Sequence, residues 1–125
     1  MMGFKEYSVA VTTTGSAGAA TGSGTVNIQK YGEIVYIYLD FHASAPATTD
    51  TTIAYASTPP GGNILVVSNS ATDTLYHPAA KPVDNAGSAI TNAHRRFPAV
   101  GSITVSLVQC DALTAAVTAY IGVAS

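Results

Sequence analysis

The sequence predicts an all-β chain, a jelly-roll-like antiparallel β-sandwich of about seven to eight strands in a single domain. Three observations carry this. Apolar residues recur at every second position in run after run, the period of a strand with one buried face. Clusters of Gly, Pro, Asn and Asp break those runs at the spacing typical of a sandwich or barrel. Helical signal is nearly missing: the segment from Asp111 to Ala116 holds one turn's worth of helix formers. That is too short to stand as a helix in water, so it reads as a loop between the last two strands.

The elements follow in order. Tyr7, Val9 and Val11 alternate with Ser8, Ala10 and Thr12, giving a half-buried first strand. From Gly15 to Gly24 the residues are Gly, Ser, Ala and Thr without periodicity, which predicts a flexible loop. Val26 and Ile28 alternate with Thr25, Asn27 and Gln29 in the next strand. The run from Glu33 to Phe41 is rich in β-branched and aromatic residues. Strict alternation places Val35, Ile37, Leu39 and Phe41 on one face and Ile34, Tyr36 and Tyr38 on the other. Two apolar faces predict a central strand whose outer side is covered by another element or another subunit.

Residues 51–56 and 63–68 flank Pro59-Pro60-Gly61-Gly62, a stretch with the chemistry of a hairpin connection. Residues 76–97, holding Pro78, Pro82 and Gly87, predict a long irregular segment of the kind that is functional or pinned by contacts. Ile103, Val105 and Leu107, then Val117, Ala119, Ile121 and Val123, supply the last two strands. The 125 residues are one domain's worth, 1–125, with 1–23 as an N-terminal strand and loop.

Composition bounds the function. Only 10% of residues are charged, against roughly 25% in ordinary soluble proteins, while 47% are hydrophobic. A small domain normally relies on its charges to stay soluble and monomeric. Without them, much of the surface is expected to be covered in an assembly. The net charge is −2, and of the five cations Lys5, Lys30, Lys81, Arg95 and Arg96 only the last two adjoin. That scatter argues against a nucleic-acid partner. No apolar run reaches the roughly 18 residues of a membrane span, so no membrane partner is expected. Residues 1–7 carry Lys5 and Glu6 and lack the apolar core of a signal peptide, which predicts synthesis in a cytoplasm.

Candidates for catalysis are few. Asp40 and His42 share a face if the strand runs that far, yet no nucleophile is tied to them in sequence. His77 and His94 are isolated from them, and the single Cys110 follows Val108 at period two, as a core residue does. No metal-ligand spacing arises. The aspartates Asp50, Asp73, Asp84 and Asp111 sit among turn formers and read as loop hydrogen bonders. Arg95 and Arg96 point to opposite faces if extended, so a joint clamp is not expected. The chain is therefore expected to be no enzyme and to carry no cofactor.

The order of certain segments matters more. Thr48-Thr49-Asp50-Thr51-Thr52-Ile53 is followed by Ile64-Leu65-Val66-Val67-Ser68-Asn69 and Thr72-Asp73. Then come Tyr76-His77-Pro78, Asp84-Asn85-Ala86-Gly87 and Phe97-Pro98-Ala99-Val100-Gly101 before the strand from Ile103. In this succession, from Gly24 to Val123, the chain resembles the small all-β decoration, or cement, proteins of tailed-bacteriophage capsids. The resemblance implies a homotrimer on the outer capsid surface of a virion, near three-fold positions, with the major capsid protein as partner. It brings no catalytic motif.

Tyr36, Tyr38, Tyr76, His77, Arg95, Arg96 and Phe97 are the candidate interface residues. The rival reading is a carbohydrate- or receptor-binding module of a tail appendage. Tyr36, Tyr38, Tyr55, Tyr76 and Tyr120 are available to it as stacking residues, although the chain has no Trp. A small cupin-like enzyme would need a His and carboxylate cluster that the sequence does not offer.

Overall fold

The computed structural model describes residues 3–28, 31–56, 61–80, 85–90 and 93–125, and every regular element among them is a strand. The strands are β1 (Phe4–Val11), β2 (Ala20–Asn27), β3 (Gly32–Phe41), β4 (Asp50–Tyr55), β5 (Asn63–Val67) and β6 (Thr74–Tyr76). Three two-residue pieces follow, β7 (Ala79–Ala80), β8 (Arg95–Arg96) and β9 (Pro98–Ala99), then β10 (Ser102–Cys110) and β11 (Val117–Ala124).

They form two antiparallel sheets. The first runs β1-β11-β3-β6, with β9 also paired to β3; the second runs β2-β10-β4-β5. β7 and β8 make a separate ribbon. The chain's first strands lie against its last in both sheets, β1 on β11 and β2 on β10. The fold is an all-β antiparallel sandwich, as period-two patterning predicted.

The core is what that patterning would bury. Val11, Val117, Ala119, Ile121, Val123, Ile37 and Leu39 from the first sheet meet Ile53, Ile103, Val105 and Leu107 from the second, all essentially without solvent contact. Cys110 is buried among them. Removing such side chains from water is worth about 1.5–3 kcal/mol each, and this supplies the main drive for the two sheets to close.

Three local expectations change. Ile34 is buried on the same side as Ile37, not on the Tyr36 side. The register explains it: Ile34 pairs with Val123 and Tyr36 with Gly122, leaving Val35 as an extra residue in a β-bulge. A bulge resets which face each side chain takes. Second, the small-residue stretch 15–24 is not all loop, since Ala20 onward is strand β2. Its glycines are needed for packing: a Cβ on Gly22 would fall 2.3 Å from the Thr12 carbonyl oxygen, and one on Gly24 2.7 Å from Val9 Cγ2. Third, the 76–97 segment contains the β7–β8 ribbon, with Ala79 opposite Arg96 and Ala80 opposite Arg95.

β4 and β5 pair as a hairpin, with a register shift that turns both Ile64 and Leu65 towards the core. Pro59 and Pro60 of its connection, like Lys81, Pro82 and Asp84, lie outside the described residues.

Candidate functional site

Two surface features gather side chains with binding chemistry. The first is the outer face of the β1-β11-β3-β6 sheet. Pairing aligns Ser8, Tyr120, Tyr38 and Leu75 in one row and Glu6, Gly122 and Tyr36 in the next. Phe4 continues the patch, with its ring centroid 6.0 Å from that of Tyr36, and Tyr38 stands 6.3 Å from Tyr120. Phe4 is 58% exposed and Leu75 51%. The Tyr36 hydroxyl donates to Glu6 Oε2. That hydrogen bond, helped by burial and by the negative charge of Glu6, pushes the Tyr36 hydroxyl up to about 12. Asp40 opposite Thr118 adds a second carboxylate.

Among the described residues, neither sheet presents a Lys or Arg on the outward positions of its paired strands. The outer side of the second sheet is rich in Ser and Thr, with Val66 and Val108 exposed among them: Thr25 pairs with Thr104, their hydroxyls 3.1 Å apart, Ser23 with Ser106, and Ser106 with Thr52, which faces Val66.

The second feature is a cleft of about 430 Å³ lined by Val35, His77, Pro78, Ala79, His94, Arg95 and Arg96. The bulged Val35 sets one wall: its carbonyl oxygen lies 3.1 Å from His77 Nδ1. A carbonyl only accepts, so Nδ1 carries the proton and Nε2 is the nitrogen left for a ligand. The ribbon supplies the opposite wall. Arg95 and Arg96 both border this one cleft although they are neighbours in sequence.

The sequence candidates divide accordingly. Tyr36 and Tyr38 lie on the aromatic face, and His77, Arg95 and Arg96 line the cleft. Tyr76 pairs with Ile37 and packs on the core, as does Phe97, whose carbonyl accepts from the Ile34 amide. Tyr55 also turns inward. Its hydroxyl donates to the Pro98 carbonyl at 2.5 Å, and burial pushes it up to about 12.

Phe4 and Leu75 belong to the aromatic face but were not singled out in sequence, because only strand register aligns them with the tyrosines. In sequence His94 shows only as the residue before Arg95 and Arg96. The ribbon's return brings it to the cleft.

The strand does not run far enough to carry both Asp40 and His42. β3 ends at Phe41, and His42 Nδ1 accepts from the Ser44 amide at 3.0 Å within a turn. The loop aspartates do hydrogen-bond backbone: Asp50 takes the Asn69 amide, Asp73 the Phe41 amide and Asp111 the Gly18 amide. Among the described residues no group of three or more His, Cys, Asp or Glu is placed to hold a metal.

No family model matches the chain, and no curated protein matches it. Among solved structures it is similar to a serine protease of Aeromonas sobria, with 8% identity and a TM-score of 0.51 over 100% of this chain and 27% of that one. The same protease bound to its chaperone gives 8% identity, a TM-score of 0.52 and the same coverage. A CBM32 domain of AlyQ in complex with 4,5-unsaturated mannuronic acid gives 10% identity and a TM-score of 0.47, over 93% of this chain and 75% of that one. The protease matches show a shared β fold and nothing of function. The looser third match carries no argument.

Proposed function

We propose that this protein is a virion structural protein, a capsid cement protein that binds the outer surface of an assembled phage head as a homotrimer. It sits near three-fold positions and holds major capsid protein subunits together. The observation that carries the reading is the aromatic outer face running from Phe4 to Leu75, on whose outward strand positions no described Lys or Arg falls. A contiguous, partly exposed apolar face on a small domain marks a contact surface. The Ser/Thr-rich face behind it is cheap to desolvate compared with charged groups. The resemblance in segment order to capsid decoration proteins supports a trimer as the unit and the major capsid protein as its partner.

A ligand that binds only the intact lattice stabilises it by RT ln(1 + [L]/Kd), about 2.7 kcal/mol at a hundred times Kd. Multivalent contact across several subunits multiplies modest affinities to reach such a regime. Capsids stripped of the protein are expected to rupture at lower temperature, and adding it back restores the margin. Equal binding to isolated capsid subunits and to whole shells sinks the lattice-spanning mechanism.

The second reading is a carbohydrate-binding module of a tail appendage. One arrangement favours it: Tyr36, Tyr38 and Tyr120 share a face with the carboxylates of Glu6 and Asp40. Aromatic faces stack on sugar rings while carboxylates take their hydroxyls. A glycan array probed with purified protein separates the readings. Specific glycan binding lost on Tyr38→Ala selects this one.

A further inference from the structure

We propose that the cleft under the β7–β8 ribbon is an anion-binding site, for a ligand that presents a carboxylate or phosphate group. The first ground is charge. The chain carries a net −2, yet two of its five Lys and Arg residues and two of its three His residues border this one cleft. Among the described residues that line it none is acidic, and Glu33, two residues before Val35 on β3, is not one of them. Arg95 and Arg96 are exposed.

The second ground is donor chemistry. Guanidinium groups offer planar, paired N–H donors matched to the oxygens of carboxylate and phosphate. With His77 Nδ1 committed to the Val35 carbonyl, its Nε2 becomes a further donor once the ring is protonated. The third ground is shape. About 430 Å³ is the size of a small-ligand pocket rather than of a single surface ion contact. Val35, Pro78 and Ala79 supply apolar wall against which the rest of a ligand rests.

Other occupants fit poorly. A metal cation would meet two arginines and no carboxylate among the described lining residues. A nucleic-acid strand needs a track of cations, and the described lining residues supply two.

The inference is independent of the shell-binding reading, because it is measured on purified protein without capsids. Inorganic phosphate and citrate are titrated separately by calorimetry in low-salt buffer, with chloride at equal ionic strength as reference. Saturable binding of either probe is expected, weakened about tenfold or more in Arg95→Gln/Arg96→Gln, in line with the loss of a charge-assisted pair. Citrate alone binding identifies a carboxylate ligand, and phosphate alone a phosphoryl group. Both arginines are exposed, so the double variant is expected to keep its circular dichroism spectrum and melting temperature. If it does not fold, His94→Ala serves in its place with the same expected weakening. Failure of both probes to bind saturably, or affinity unchanged in the folded variant, overturns the proposal.

Discussion

The ring of Tyr36 lies across the backbone of Gly122: a Cβ placed on that glycine would stand 2.3 Å from Tyr36 Cε2 and 2.5 Å from Cζ. The two residues pair directly across β3 and β11, next to the bulge that leaves Val35 without a partner. A tyrosine covering a strand glycine restores the packing that the missing side chain removes. It also aims the Tyr36 hydroxyl over β11 to Glu6 on β1, so three strands are tied on the outer face. Gly122→Ala is expected to swing the ring away and break the Glu6 contact. Destabilisation of about 1–3 kcal/mol, the usual cost of overpacking, is the expected result in urea unfolding.

Tyrosine ionisation reads the same contact. Tyr36 and Tyr55 are both pushed up to about 12, Tyr36 by its bond to Glu6 and Tyr55 by burial. Each keeps its proton in the folded chain at pH values where the unfolded chain, with pKa near 10, has lost it. The folded state then binds more protons, so stability falls as pH rises. The contribution is complete below about pH 10 and lost towards pH 12. Tyr36→Phe and Tyr55→Phe should each remove a late step from the tyrosinate absorbance titration. Glu6→Gln should bring Tyr36 down and leave Tyr55 where it is.

Thr51 offers a stabilising change. Its side chain is fully buried, and Oγ1 has no hydrogen-bond partner among the described residues. An unpaired buried hydroxyl costs about 1–3 kcal/mol. Thr51→Val keeps the shape and removes the polar atom, so a gain of about 1 kcal/mol in chemical denaturation is expected. A loss of stability would show that the hydroxyl has a partner.

Thr13 is the opposite case. Its hydroxyl donates to the Asp111 carbonyl at 2.5 Å and accepts from the Leu113 amide at 3.0 Å, fixing the β10–β11 loop to the end of β1. Thr13→Val strands both backbone groups, and a loss of about 1–3 kcal/mol is expected in the same measurement. Hydrogen exchange should locate the loosening at the Leu113 amide.

Assembly can be tested apart from capsid binding. Purified protein is expected to sediment as a trimer at micromolar concentration. Tyr38→Ser with Tyr120→Ser removes the centre of the aromatic face while leaving the core intact, and should shift the protein to monomer. A wild-type monomer would remove the aromatic face as a self-contact.

The sequence by itself determined the fold class and most of the core. Alternation at period two is a local property, and it correctly put Ile37, Leu39, Val105, Leu107, Ile121 and Cys110 inside. It also read Asp50, Asp73 and Asp111 as hydrogen bonders, although the backbone amides they take lie 19, 32 and 93 residues away in sequence. What tertiary structure alone decided depends on register and on chain return. The bulge at Val35 turned Ile34 inward, and no one-dimensional pattern marks a residue that its partner strand skips. The glycines of β2 read as loop because their purpose, close approach to Thr12 and Val9, lies on another strand. The same holds for both candidate sites. Phe4, Tyr36, Tyr38, Leu75 and Tyr120 come from four strands, and only the pairing order makes them one face. His77 and Arg96 are far apart along the chain, and they meet because the ribbon folds Arg96 back against Ala79.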